Sequence, residues 1–232
     1  MNKETKSKNL FPQSNYSLKI LNRIELIPIG KVYCIGRNYA EHAIEMNESP
    51  ETNEPFFFSK PPQSLTQIKI IKYPANTKNL HHEVELAVII GSKCKNVSPR
   101  NAHKNILGYS VGIDLTKRDL QQIAKDNRKP WDLSKGFDNS APISLVNIKE
   151  GEVIKKGKIE LKINGVIKQT GDIAQMIYPV NEIIAYLSNY ITLHPGDVIF
   201  TGTPSGVGKV EVNDKLEASI EGIGKLEVLF TD

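Results

Sequence analysis

His81-His82-Glu83-Val84-Glu85-Leu86-Ala87-Val88-Ile89-Ile90 is the stretch from which the rest of the chain is read. Its second half is an apolar, β-branched run, and the spacing predicts a strand over Glu83–Ile90. Side chains on a strand alternate faces, so Glu83 and Glu85 point the same way. Two carboxylates side by side on one sheet face repel each other, and a cation is the usual remedy. An E-x-E on an edge strand also describes two acids facing solvent. A third acid, Asp114, follows another strand-like run, Gly108 to Ile113, and can reach the same point from a neighbouring strand. Three carboxylates with room for water form a hard-cation site suited to Mg²⁺ or Mn²⁺.

The 232 residues suffice for one large domain or two small ones. Hydrophobic content of 39% and charged content of 24% are those of a soluble globular protein. No apolar run approaches the ~20 residues of a membrane helix. The polar start, residues 1–13, lacks the apolar core of a secretory signal and reads as a flexible tail. The expected location is cytoplasmic. The net charge of +4 comes from lysines scattered among acids, as in Lys149-Glu150-Gly151-Glu152. There is no basic run with interleaved aromatics, so nucleic acid is not an expected partner. Cys34 and Cys94 form no metal spacing and sit in apolar contexts, which predicts two buried thiols and no disulfide.

Around the opening stretch the pattern is short strands with a few helices between them. Strands are expected at Lys31–Gly36, Phe56–Phe58 and Val198–Phe200, and two more between Asp214 and Phe230. Ile159–Ile163 alternates and meets Asn164-Gly165, a strong hairpin signal, with Val166–Gln169 as the return strand. Helices are expected over Asn38–Met46, Arg118–Asn127 and Pro179–Leu193, the last from Val180, Ile183, Ile184, Leu187 and Ile191. Pro99–Asn105 reads as a short helix or turn. This is one α+β domain, residues 14–232, with a substantial antiparallel or mixed sheet. Gly202, Gly206 and Gly208 precede no helix start, which argues against a phosphate loop.

His42 and Glu45 share a face of the expected helix, and a carboxylate beside an imidazole orients it and raises its basicity. His81 reads as structural, directed away from the neighbours of Glu83. His82 lies on the opposite face from Glu83, beneath the site, and His103 and His194 read as surface residues. Trp131 reads as a packing anchor.

With these pieces in order, the chain resembles the fumarylacetoacetate hydrolase family from about Val32 to Phe230. The motifs that carry the resemblance start with Gly36-Arg37-Asn38-Tyr39 with His42 and Glu45, then His82-Glu83-Val84-Glu85-Leu86. They continue with Gly112-Ile113-Asp114, Arg118-Asp119, Pro130-Trp131 with Lys135, and Asn164-Gly165. The last is Thr201-Gly202-Thr203-Pro204-Ser205-Gly206-Val207-Gly208. The nearest subgroup is the single-domain acylpyruvases, which include fumarylpyruvate hydrolases and oxaloacetate-processing enzymes.

The resemblance implies a mixed β-sandwich roll with a few short helices, usually as a homodimer. It implies Mg²⁺ or Mn²⁺ on Glu83, Glu85 and Asp114, with open positions for the 1-carboxylate and 2-oxo oxygens of a 2-oxo acid. It makes His42 and Glu45 the pair that activates water, on a lid, and gives Lys135 a role in stabilising negative charge. Gln121 positions substrate or water, and Gly202 and Thr203 lie against the substrate carboxylate. Arg37 and Arg118 pair either with that carboxylate or with an internal acid. The implied reaction is hydrolysis of the C–C bond of an acylpyruvate to pyruvate and a carboxylic acid. Oxaloacetate decarboxylation or keto–enol tautomerisation, and isomerisation of aromatic-catabolism 2-oxo acids, are the alternatives. A non-catalytic oxo-acid binder is the contrasting class, against which the presence of His42, Glu45 and Lys135 together speaks.

Overall fold

The strand Val84–Ile90 is buried along its whole length in a computed structural model that describes Leu10, residues 16–45 and residues 54–232. The expected tail (apart from Leu10), Met46 and most of the loop before Phe56 lie outside the described residues. Val84, Leu86, Val88 and Ile90 enter the larger apolar cluster, while Ala87 and Ile89 enter a smaller one on the opposite face. A strand covered on both faces reads as a continuous apolar run.

This strand belongs to a six-stranded sheet ordered Asn147–Ile148, Ile106–Ile113, Val84–Ile90, Val198–Phe200, Val32–Gly36, Phe56–Lys60. All its pairings are antiparallel except that between Val198–Phe200 and Val32–Gly36. A five-stranded sheet, ordered Val166–Asp172, Lys158–Ile163, Lys215–Ile220, Gly224–Thr231, Ile70–Lys72, packs over it. The larger cluster lies between them and draws on Leu86 and Val88 from one sheet and Leu161, Ala218 and Val228 from the other. Two sheets enclosing one core, with few helices, form the expected β-sandwich roll.

The expected strand over Glu83–Ile90 starts one residue late, at Val84. Leu80–His82 is the middle strand of a small third sheet, flanked by Thr116–Lys117 and Gly208–Val210, and the six-stranded sheet is joined only at Val84. Glu83 sits at the transfer between sheets, where its carbonyl still accepts from Asp114 N–H at 2.8 Å.

The Asn164-Gly165 turn closes the predicted hairpin with positive φ at both residues (52° and 80°), as a type I′ turn requires. The return strand runs past Gln169 to Asp172. Of the three helices expected with boundaries, the first spans Ala40–Glu45 and the second Arg118–Asp126. The third stops at Tyr190 rather than Leu193, because Leu193 leaves the helix to exchange backbone hydrogen bonds with Cys94 at 3.0 and 3.1 Å. Cys34 and Cys94 are buried free thiols. Among the described residues no helix is long and apolar enough to cross a membrane.

Candidate active site

The break at Glu83 brings the acids together. Glu85 pairs across the sheet with Gly112, two residues before Asp114, and Glu83 and Asp114 meet where the two strands end. One carboxylate oxygen from each of Glu83, Glu85 and Asp114 lies within 4.8 Å of the others, and all three residues are buried. They form the floor of a cleft whose wall includes His42, Arg37, Arg118, Gln121, Lys135, Gly202 and Thr203.

Three cations face these acids. Lys135 Nζ lies 2.9 Å from Glu83 Oε2 and 2.6 Å from Asp114 Oδ2. Arg118 Nη2 lies 2.5 Å from Glu83 Oε1, and its Nη1 donates to Gln121 Oε1 at 2.6 Å. Arg118 thus takes the internal acid of its two expected partners. The third cation, Lys60, has no place in the sequence motifs. Its Nζ lies 2.8 Å from Asp114 Oδ1 and donates to Ser140 Oγ at 3.0 Å, to the carbonyls of Ser140 and Leu115 at 3.1 and 3.3 Å, and to that of Lys135.

The electrostatics are uneven. Burial works to raise the Glu83 carboxyl, but Lys135 and then Arg118 overcome it and hold the group well below its usual range. Glu85 goes the other way: burial, then the charges of Asp114 and Glu83, push it well above. The Lys135 charge opposes this from a distance, as does Gly202 N–H, donating to Oε2 at 2.6 Å. Lys135 is raised, because Asp114 and Glu83 outweigh the cost of its burial. A divalent ion fits this donor set. All donors are carboxylate oxygens, and Glu85, which among the described residues has no cation within ion-pair distance, contributes one of them.

Gly202 makes the Glu85 contact possible. Its φ is +90°, and a Cβ there would stand 2.7 Å from Asn38 Cβ. Asn38, from the Gly-Arg-Asn-Tyr motif, clamps this loop by donating to Thr201 O at 2.8 Å and to Tyr178 O at 3.0 Å.

His42 is buried in the cleft wall, with Nδ1 3.1 Å from Glu45 Oε2. Glu45 itself is exposed at the mouth, where it accepts from Gly206 N–H at 3.2 Å. Arg37 holds a left-handed φ of 58° and stacks over Phe56, its Cζ 5.2 Å from the ring centroid. Trp131 both packs and lines the cleft. Its ring is edge-on to Phe56 at 5.6 Å and tilted against Phe58 at 5.8 Å, so three aromatic rings wall one side.

The reading of His81 is corrected. It does not face away from the neighbours of Glu83, since it accepts from Arg118 Nε at 3.4 Å, with Asn79 Oδ1 2.9 Å from its other nitrogen. His81 stands two residues before Glu83, so extended backbone turns both side chains the same way, and Arg118 reaches both. Burial lowers the His81 pKa to about 4. His82 does lie beneath the site, its Nδ1 2.8 Å from Gln169 Oε1. His194 is exposed and His103 half-buried.

Residues 31–230 match the model of the fumarylacetoacetate (FAA) hydrolase C-terminal domain. The chain belongs to the fumarylacetoacetate hydrolase family. It is 43% identical over 194 residues to the mitochondrial oxaloacetate tautomerase of Homo sapiens, covering 83% of this chain and 87% of that protein. It is 42% identical over 174 residues to the fumarylpyruvate hydrolase of a Ralstonia species, covering 75% and 91%. Among solved structures, the fumarylpyruvate hydrolase of Pseudomonas aeruginosa in complex with Mn²⁺ and pyruvate superposes with a TM-score of 0.94 at 38% identity, over 97% of this chain and 99% of that one.

Proposed function

We propose that this chain is a metal-dependent hydrolase that cleaves acylpyruvates, 2,4-dioxo acids such as acetylpyruvate or fumarylpyruvate, to pyruvate and a carboxylic acid. The observation that carries the proposal is one cleft holding a buried three-carboxylate cluster, a buried lysine on two of those acids, and a histidine backed by a carboxylate. The fumarylpyruvate hydrolase names among its relatives support the same reaction class.

Glu83, Glu85 and Asp114 would hold Mg²⁺ or Mn²⁺. The bound ion supplies Lewis-acid polarisation of a 2-oxo group and a fixed point for the adjacent carboxylate. The other tasks fall to side chains. Glu45 engages His42 Nδ1, which leaves Nε2 to take a proton from water. The water oxygen attacks C4, the C3–C4 bond breaks, its electron pair passes to the pyruvate fragment as an enolate, and the proton held by His42 returns at C3 to complete pyruvate. The Lys135 ammonium stands where negative charge develops. Phe56, Phe58 and Trp131 would receive the apolar part of the acyl group.

A second reading, tautomerisation or decarboxylation of oxaloacetate, keeps the cleft and changes the chemistry. It is favoured by identity to oxaloacetate tautomerases as high as that to the hydrolase. Turnover of acetylpyruvate and oxaloacetate, side by side with Mg²⁺, Mn²⁺ or EDTA, separates the two. Metal-dependent formation of pyruvate from acetylpyruvate supports hydrolysis, and turnover of oxaloacetate alone moves the assignment. His42→Ala is expected to cut hydrolysis by about 10²–10⁴-fold, the usual share of a general base, while metal binding persists.

A further inference from the structure

Gln169 is 1% exposed on a strand whose preceding residues, Val166, Ile167 and Lys168, are all exposed. The cause is a register shift in the hairpin. Leu161 faces Gln169 but Lys162 faces Ile167, so Lys168 is the extra residue of a bulge. A bulge re-aims the side chains beside it, and this one turns Gln169 into the molecule.

All of the Gln169 amide is engaged. Its Oε1 accepts from Val84 N–H at 3.0 Å and lies 2.8 Å from His82 Nδ1. Its Nε2 donates to Pro204 O at 2.9 Å and contacts Thr203 Oγ1 at 2.8 Å. The backbone partners fix which end is which, because Val84 N–H can only donate and Pro204 O can only accept. His82 therefore carries its proton on Nδ1, and the Thr203 hydroxyl accepts from Gln169. The single hydrogen of that hydroxyl is not directed at Gln169, and Thr203 lines the cleft beside Gly202 and Glu85.

We propose that Gln169 is a positioning residue that sets the Thr203 hydroxyl as a hydrogen-bond donor to an anionic oxygen of the substrate. The inference rests on the reading that the cleft takes a 2-oxo acid. It assigns a task to the bulged hairpin of the second sheet. A hydroxyl turned the other way would present lone pairs to a carboxylate and repel it.

Oxalate, a dianion with the paired oxygens of a 2-oxo acid, is the probe, titrated calorimetrically into the full-length protein with Mn²⁺. Thr203→Val keeps the shape and removes the hydroxyl, and oxalate binding is expected to weaken about tenfold or more, the loss typical of a hydrogen bond to a charged group. Gln169→Glu replaces the donating NH₂ with an oxygen that draws the Thr203 hydrogen to itself. A loss of similar size is expected, with Mn²⁺ affinity within about twofold of wild type. The double variant should bind oxalate no more weakly than Thr203→Val alone. If the Glu variant does not fold, Gln169→Met serves in the same cycle. Unchanged oxalate affinity in either single variant, or losses that add in the double, would overturn the proposal. A general structural role would lower thermal stability and Mn²⁺ affinity together and add to Thr203→Val. Because oxalate is not turned over, a wild type that binds it but converts no acylpyruvate sinks the hydrolase reading and leaves this comparison standing.

Discussion

Glu85 and Asp114 lie on the same cluster in opposite circumstances. Asp114 has a lysine on each oxygen, whereas Glu85 has a backbone N–H and, among the described residues, no cation within ion-pair distance. A bound cation therefore relieves Glu85 most. Glu85→Gln is expected to hold or slightly raise the melting temperature in EDTA, since a like charge is removed, and to abolish the rise that Mn²⁺ gives the wild type. Thermal scans with and without the ion check both signs; a variant destabilised in EDTA and still shifted by Mn²⁺ would refute this account. Lys60 makes the reverse prediction. Lys60→Met leaves Asp114 Oδ1 and the carbonyls of Leu115, Lys135 and Ser140 without their shared donor. Removing one partner of a buried pair costs about 3–5 kcal/mol. At about 2–4 °C per kcal/mol for a chain of this size, the melting point should fall by roughly 6–20 °C. Glu83, Glu85 and Asp114 were legible in the sequence because strand alternation and strand endings announce them. Lys60 was not, because its partner lies far along the chain and a lysine before Pro61-Pro62 reads only as the end of a strand.

The helix Ala40–Glu45 has six residues, well short of the ~12–15 at which an isolated helix becomes even marginal in water. What fastens its end to the Thr201–Gly208 loop is Gly206 N–H on Glu45 and Ser205 Oγ on Glu41 at 3.2 Å, both in exposed positions. Exposed polar contacts of this kind are worth little. Amides of Ala43 to Glu45 are therefore expected to exchange with deuterium orders of magnitude faster than those of Leu86 to Ile89, and to slow when oxalate and Mn²⁺ are added. Equal protection in the two segments would contradict a weakly held helix. The elements themselves were readable to within a few residues wherever periodicity was strong, as in the Val180–Tyr190 helix and the Asn164-Gly165 hairpin. The break at Glu83 and the bulge at Lys168 were not. Each is a local departure from alternation imposed by the sheet it joins, and no turn residue marks it.

At the scale of the whole molecule, Ile106–Ile113 and Val198–Phe200, the strands on either side of Val84–Ile90, are locked together behind the site by a ring in a hole. Gly112 lies opposite Glu85 and two residues before Asp114; Phe200 lies two residues before Gly202. A Cβ on Gly112 would stand 2.4 Å from Phe200 Cε1, so the ring occupies the space that glycine leaves. Phe200 is fully buried in the smaller apolar cluster and has little room to retreat. Gly112→Ala should therefore push apart Asp114 and Gly202, the acid and the loop that meet at Glu85. Overpacking of this kind costs about 1–3 kcal/mol, roughly 2–12 °C in melting temperature. Unlike a large-to-small change such as Leu86→Ala, which empties the core between the sheets, it should also weaken Mn²⁺ binding several-fold. Phe200→Leu added to Gly112→Ala is expected to restore both quantities toward wild type by giving the new methyl its space. Melting curves and Mn²⁺ titrations of the two single variants and the double decide it. Recovery of stability without recovery of Mn²⁺ affinity would mean that the strands transmit no strain to the site, and that the triad is held by its own cations alone.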